Sequence, residues 1–209
     1  MDMKEALYRT GREIARTGLG CLADLTIGGK DNVPLDGSYI VIFNHPPLQS
    51  RLLYLGLICA IPSRFSVLKL PLAAYPNLIS RFDIGLIGLS GIIDFISIGG
   101  PSGFKKALET LSLGNIIALS PEGDAGNEKG LIRAKPGITP LAEKSHVPIL
   151  PLAIFGPGIN INIGPPFYLK AIPCQVVPKH EYNQQQADMI MLHLACLLPP
   201  EKRGYYASM

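Results

Sequence analysis

Residues 39–53 read YIVIFNHPPLQSRLL: an apolar run that stops at Asn44 and His45, then two prolines and a second apolar run. The first run is short and rich in β-branched and aromatic residues, which predicts a buried β-strand. The second run continues as RLLYLGLICA, and its length and composition favour a helix. We therefore expect a strand, a turn that contains a histidine, and then a helix.

The same alternation continues along the chain. A helix is predicted over GFKKALETLSL, with Ser102 as its N-cap and Gly114 after its end, and the following NIIALS indicates a buried strand. A helix around TPLAEKSH, a strand at PILPLAIF and a last helix from Gln184 to Leu198 come next. Strands that alternate with helices predict an α/β fold: a single domain over 1–209, with a mixed, largely parallel sheet flanked by helices.

Composition and charge exclude several classes of protein. A chain of 209 residues that is 47% hydrophobic and 17% charged is long and apolar enough to form a sizeable core. The net charge of +3, without a basic stripe that interleaves aromatics, argues against nucleic-acid binding. The four cysteines form no C-x-x-C pair and the histidines are not spaced as ligands, so we expect no metal and no cofactor.

The first 20 residues predict a basic amphipathic helix, because apolar positions recur near helical spacing among an excess of positive charges. The apolar positions are Leu7, Ile14 and Leu19, and the basic ones are Lys4, Arg9, Arg12 and Arg16. The pattern leaves two interpretations open: a helix docked on the domain with a solvated charged face, or a helix that rests on anionic lipid.

Two sequence features bear on location. The mean hydropathy of +0.27 is high, yet no apolar run reaches the ~18 to 20 residues of a membrane span. The N-terminal segment lacks the apolar core and cleavage site of a signal peptide. We therefore expect a cytoplasmic protein that binds peripherally at the inner face of the membrane.

Polar residues at two strand ends are candidates for a functional site, since reactive groups in α/β sheets gather where strands end. Asn44 and His45 follow YIVIF, and SPEGDAGNEKG follows NIIAL. Taken singly, neither is specific. A histidine at a strand end is more often a hydrogen-bonded structural residue, and Pro-Glu-Gly is a common turn.

Three motifs in order resemble those of the glycerolipid acyltransferases typified by lysophosphatidate acyltransferase. NHPPLQS is similar to the family's Asn-His motif, SPEGDAG to its Pro-Glu-Gly motif, and VPILPL to its Val-Pro-Ile-x-Pro strand. The flanking segments GLIRAKPGITPLAEKSHVPILPLAIFG, INIGPPFYL and LLPPEKRGYYA also resemble the family. The similarity covers nearly the whole chain.

The resemblance implies an acyltransferase that moves a fatty acyl group from acyl-CoA or acyl-carrier protein to a glycerol-phosphate-type lipid acceptor such as lysophosphatidate. His45 is the implied general base, a task that suits a neutral imidazole. The implied partners are the acyl thioester, the lysophospholipid acceptor and a membrane surface.

The resemblance also implies an acceptor site. Asn44, Glu122 and Gly123 are assigned to substrate binding by their positions in the motifs. Lys135, in AKPG, is the expected cationic partner of the acceptor's phosphate, and Lys129 and Arg133 are nearby alternatives.

The chain departs from the family pattern at the partner of the histidine. Ser50 stands where the family has aspartate, so His45 and Ser50 form the implied catalytic pair. A hydroxyl can accept the imidazole N–H bond but brings no negative charge to stabilise the imidazolium. Asp94 and Asp124 are the candidates for a substitute carboxylate.

Two cationic positions of the family are also missing. No cation stands at Ile96 to Ile98 of the second motif, and Asp124-Ala125-Gly126 replaces the family's Thr-Arg-Ser. A second hypothesis therefore stays open beside the enzyme: a catalytically weak or inactive homologue that binds lipid or acyl chains.

Overall fold

The computed structural model describes residues 3–22, 24–45, 50–62, 65–69, 94–97, 100–123, 130–156, 158–170 and 177–209. Its helices are α1 (Met3–Leu22), α2 (Ser50–Ala60), α3 (Gly100–Ser112), α4 (Ile138–Ser145) and α5 (Lys179–Ala195). Its strands are β1 (Leu25–Gly28), β2 (Ile40–Phe43), β3 (Phe65–Lys69), β4 (Asp94–Ser97), β5 (Ile116–Leu119), β6 (Ile149–Phe155) and β7 (Ile159–Ile163).

These strands form one mixed sheet in the order β1-β7-β6-β2-β5-β3-β4. The five strands from β6 to β4 in that order run parallel, β7 is antiparallel to β6, and β1 is parallel to β7. The predicted fold class, an α/β domain with a mixed and largely parallel sheet, is confirmed. The strand after which His45 comes, β2, is the central strand.

Both faces of β2 are covered, and this explains its uninterrupted apolar sequence. Val41 and Phe43 belong to a core that includes buried residues of α1 and α2. Ile40 and Ile42 belong to a second core that includes buried residues of α3, α4 and α5. The sheet therefore lies between two helical layers, and its central strand is sealed from water on both sides.

Helix α3 begins at Gly100, two residues before the predicted N-cap at Ser102. The difference arises at Pro101, which lies in the first turn of the helix. Proline fits there because the first-turn N–H groups have no partner within the helix. The expected N-cap, Ser102, thus lies inside the helix.

Helix α5 spans Lys179–Ala195, whereas the sequence predicted Gln184 to Leu198. Pro178 precedes it as the N-cap. The first turn is polar and lacks the apolar period on which the prediction depended. His180 lies in this turn.

Helix α1 docks on the domain through Tyr8, which is fully buried. Its O–H donates a hydrogen bond of 2.9 Å to the carbonyl of Ile61, just after α2, and its ring meets Phe65 edge-on. The bond satisfies a carbonyl that the end of a helix leaves without a partner. Leu7 and Ile14, two of the predicted apolar positions, are instead 49% and 68% exposed. The side that docks and the apolar stripe read from the sequence are therefore different sides of α1.

No helix in the described ranges is both long and apolar enough to cross a membrane.

The docking of α1 can be tested with Tyr8→Phe. The substitution removes the bond to Ile61 but keeps the ring, so we expect a loss of about 0.5 to 1.5 kcal/mol in the free energy of unfolding, measured in urea. Leu7→Ala is the control on the exposed side and should change that free energy by less than about 0.5 kcal/mol. A larger loss for Leu7→Ala than for Tyr8→Phe would mean that the other side of α1 is the docked one.

Candidate active site

The two candidate motifs meet at one edge of the sheet. β2 and β5 are adjacent and parallel, with Ile42 in register with Leu119, so their carboxyl ends lie at the same edge. His45 follows β2 and Glu122 follows β5. The backbone N–H of His45 donates a hydrogen bond of 3.0 Å to Oε2 of Glu122. The tertiary structure thus brings together residues that are 77 positions apart in the sequence.

The Glu122 carboxylate binds two separate backbone segments. Besides His45, it accepts a hydrogen bond of 2.9 Å from the N–H of Ile132 through Oε1. The residue is 2% exposed. Hydrogen bonds to a charged group contribute about 1.5 to 3 kcal/mol each, so the carboxylate holds the backbone at His45 firmly. In the described structure Glu122 orders the histidine's backbone, and its assignment to substrate binding stays a prediction.

Asn44 extends the pairing of β2 with β6 beyond the last paired residue. Its Oδ1 accepts a hydrogen bond of 2.7 Å from the N–H of Ile154, and its Nδ2 donates one of 2.8 Å to the carbonyl of the same residue. The side-chain amide thus forms the two hydrogen bonds that a backbone peptide group would form with a neighbouring strand. The side chain supplies these bonds shortly before Pro46 and Pro47, two residues that have no backbone N–H to donate. Its expected contact with substrate stays a prediction.

Lys135 lies against the Pro-Glu-Gly turn. Its backbone N–H donates to the carbonyl of Pro121 at 2.9 Å, and its Nζ donates to the carbonyl of Gly123 at 3.3 Å. Gly123 has a φ of 67°, and a Cβ there would lie 2.7 Å from Cδ of Lys135, so only glycine fits without displacing the lysine. The lysine side chain is exposed, which places an accessible cation at the turn.

The two alternative cations differ. Arg133 is directed to α5, where it forms an ion pair of 2.8 Å with Asp188. Lys129 lies outside the described residues, as does Asp124. Ser50 is the first residue of α2. Its side chain and the residues at 46–49 also lie outside the described part of the chain.

Asp94 cannot be the substitute partner of His45, and that hypothesis is wrong. Asp94 is the first residue of β4 and is level with Ile40 across the sheet, through Ser66 and Ile117. Ile40 precedes His45 by five residues, which corresponds to roughly 16 Å along a strand. Asp94 therefore lies near the amino ends of the parallel strands, whereas His45 follows a carboxyl end.

Sequence reasoning missed two residues near this edge. Lys69 is the last residue of β3, the strand next to β5. Because the two strands are parallel, β3 ends at the edge of the sheet that carries Glu122. Tyr206 accepts a hydrogen bond of 2.9 Å from the N–H of Ala134, within the segment that supplies Ile132. Recognition of β3 as a strand would have identified the lysine. No local pattern points to the tyrosine.

Among the described residues, no three His, Cys, Asp or Glu side chains are grouped so that they could hold a metal ion.

The fold is that of a known acyltransferase. The structure matches the crystal structure of the 1-acyl-sn-glycerophosphate acyltransferase PlsC from Thermotoga maritima with a TM-score of 0.61. The match covers 88% of this chain and 76% of the other, at 18% sequence identity. No protein-family model matches the sequence. A search of curated proteins also finds no match.

The buried carboxylate gives the edge of the sheet a defined response to pH. Burial raises the pKa of Glu122 above its ordinary value of 4.5, although the hydrogen bonds from His45 and Ile132 act in the opposite direction. An acid with a raised pKa adds stability below its unfolded-state pKa, and this contribution is lost as the pH rises through the folded-state value. Glu122 thus opposes the usual loss of stability in acid.

Glu122→Gln tests this arrangement. Its amide NH₂ cannot accept a hydrogen bond, so one backbone N–H loses its partner, and we expect a loss of about 1 to 3 kcal/mol in the free energy of unfolding at neutral pH. Because glutamine does not titrate, wild type should gain stability relative to the variant as the pH falls from 7 toward about 4.5. Urea unfolding across that range measures both effects. A difference that shrinks in acid would contradict the raised pKa.

Proposed function

We propose that this protein is an acyltransferase that moves a fatty acyl group from acyl-CoA or acyl-carrier protein to the hydroxyl of a glycerol-phosphate-type lipid. The observation that carries the proposal is the contact between the two motifs, in which Glu122 fixes the backbone of His45 at the carboxyl end of the central strand. The fold shared with the PlsC structure supports the same reaction class.

In the proposed reaction, His45 accepts the proton of the acceptor hydroxyl. The oxygen attacks the thioester carbonyl, an ester C–O bond forms and the C–S bond breaks. The imidazolium then returns the proton to the departing thiolate, which leaves as a thiol. An imidazole can both accept and release a proton near physiological pH, which suits the two steps. The reaction in this form uses two substrates, the acyl thioester and the acceptor hydroxyl, and invokes no cofactor.

The exposed ammonium of Lys135 is the proposed partner of the acceptor's phosphate. It lies at the Pro-Glu-Gly turn, whereas Arg133 is already paired with Asp188. A lysine acts on phosphate as a point charge, which tolerates several head-group geometries. The proposed acceptor is therefore a lysophosphatidate-like lipid, and neutral glycerol lipids are the comparison class.

The proposal includes peripheral binding to the cytoplasmic face of a membrane through α1. Leu7 and Ile14 are exposed and seven residues apart, so they lie on the same side of the helix. Arg9 and Arg16 are also exposed, but they lie on nearly the opposite side of the helix and pair with Glu5 and Glu13, so they add positive charge that attracts anionic lipid rather than adding to the apolar contact. Tyr8 anchors the helix to the domain. One side of α1 would thus pack on the rest of the domain while another contacts lipid.

The second candidate function is a lipid-binding homologue with little or no turnover. The specific observation in its favour is Ser50 in place of the family's aspartate. In the serine-protease triad, neutralising the aspartate that orients the histidine costs about 10⁴ in turnover. Acyl transfer and lipid binding share the same fold and surface, so only turnover distinguishes them.

A measurement of thiol release from acyl donors distinguishes acyl transfer from lipid binding without turnover. Acyl donors of several chain lengths should be combined with lysophosphatidate or with a neutral glycerol lipid. We expect wild-type turnover that falls by about 10² to 10⁴ in His45→Ala, because the general base is removed. Ser50→Asp should raise turnover by roughly 10² or more, because the new carboxylate stabilises the imidazolium.

His180→Ala is the matched control for His45→Ala, since His180 is exposed in the first turn of α5 and belongs to neither motif. It should leave turnover unchanged. Equal turnover in His45→Ala and wild type would remove His45 from the mechanism. If neither wild type nor Ser50→Asp releases thiol with any donor and acceptor while lipid still binds, the acyltransferase proposal fails and the lipid-binding function is favoured.

Membrane binding can be tested with the double variant Leu7→Ser and Ile14→Ser. Sedimentation with anionic phosphatidylglycerol vesicles should weaken by about tenfold or more, because two apolar side chains no longer enter the interface. High salt should also weaken binding, since charges beyond ~10 Å are screened at 0.1 M. Leu35→Ser with Leu113→Ser removes side chains elsewhere that are 88% and 71% exposed, at least as exposed as Leu7 and Ile14, and this variant should bind as wild type does. Equal weakening in both pairs would argue against α1 as the lipid surface.

A further inference from the structure

The segment at 130–135 is held between the candidate site and the C-terminal tail. On one side, Ile132 and Lys135 donate their backbone N–H groups to Glu122 and Pro121. On the other side, the N–H of Leu131 donates to the carbonyl of Lys202 at 3.2 Å. The carbonyl of Leu131 accepts from the N–H of Tyr205 at 2.8 Å. The segment thus joins the tail to the turn that holds His45.

Two side chains of the tail reach this segment: the ring of Tyr205 lies 5.5 Å from the guanidinium of Arg133, and Tyr206 forms hydrogen bonds. Its hydroxyl accepts the N–H of Ala134 at 2.9 Å and donates to Oδ1 of Asp188 on α5 at 2.9 Å. The residue is 2% exposed, and burial raises the pKa of its phenol, so the O–H stays protonated and able to donate. The Asp188 carboxylate, which accepts this hydrogen bond, also forms the ion pair with Arg133. Both hydrogen-bonding functions of the hydroxyl are therefore used.

The approach of the tail is close enough to require glycine. Gly204 has a φ of 50°, and a Cβ at this position would overlap the carbonyl oxygen of Leu131. The backbone of the tail therefore packs directly against the backbone of the segment. One residue, Arg133, separates Ala134, which Tyr206 holds, from Ile132, which Glu122 holds.

We infer that Tyr206 is a positioning residue for the His45 site, acting through Ala134, Ile132 and Glu122. Removal of its hydroxyl leaves the N–H of Ala134 buried without its partner and removes one of the contacts that fix the segment, so the segment can shift. A shift of Ile132 weakens the hold of Glu122 on the backbone of His45. The C-terminal tail then sets the geometry of the histidine without touching substrate. The consequence for turnover rests on the proposed acyl transfer, whereas the coupling of the segments does not.

The test compares Tyr206→Phe with Tyr205→Phe. Tyr205 is the adjacent, exposed tyrosine and serves as the matched control. In amide hydrogen exchange, Tyr206→Phe should speed exchange at Ala134 and His45 by about tenfold, with no change in β6. In NMR spectra of the four histidines, the ring resonances of His45 should move while those of His146 stay fixed. Tyr205→Phe should resemble wild type in both measurements.

Thiol release then shows whether positioning matters for chemistry. With an active wild type, kcat per folded molecule should fall by about tenfold in Tyr206→Phe, and Tyr205→Phe should keep wild-type turnover. Unchanged exchange and unchanged resonances at His45 would overturn the inference whether or not the protein transfers acyl groups. Equal acceleration of exchange throughout the sheet would also overturn it, since Tyr206 would then contribute only to global stability. If exchange and resonances change but no thiol is released, the coupling stands and the proposed acyl transfer fails.

Discussion

Two hydrogen bonds to one buried carboxylate hold the region around His45 together. Glu122 accepts the backbone N–H groups of His45 and Ile132, which belong to separate segments of the chain. Burying a carboxylate is costly unless its oxygens are bound, so the residue is stable there only while both donors stay in place. The geometry of the strand end, the turn and the following segment is for this reason a single unit.

The central position of β2 explains why this unit can be rigid. Strands on either side fix the backbone of β2 up to Phe43. Asn44 then extends the contact to Ile154 for one further residue, so irregular backbone begins only at the residue that carries the imidazole. A strand at the edge of the sheet would have only one neighbour. The backbone of a histidine at the end of a central strand is therefore fixed by the hydrogen bonds of the strand on either side.

Helix α1 docks on the domain with one side, and the proposed contact with lipid concerns another. Tyr8 combines a large apolar ring with an O–H that reaches the free carbonyl after α2, so it docks the helix better than an aliphatic residue would. Leu7 and Ile14 are left on another side. The two interpretations of the N-terminal sequence, docking on the domain and contact with lipid, are therefore compatible. They concern different sides of the same helix.

The sequence by itself determined the fold class and the position of His45 after a buried strand. Central strands such as β2 and β5 are covered on both faces, and they appear in the sequence as continuous apolar runs. Only the tertiary structure decided that Glu122 faces backbone, that Asn44 binds Ile154, and that Tyr206 reaches Ala134. These partners are 72 to 110 residues apart. They depend on the order of strands in the sheet and on the path of the tail, which local periodicity does not encode, because periodicity records which face of an element is buried and not what buries it.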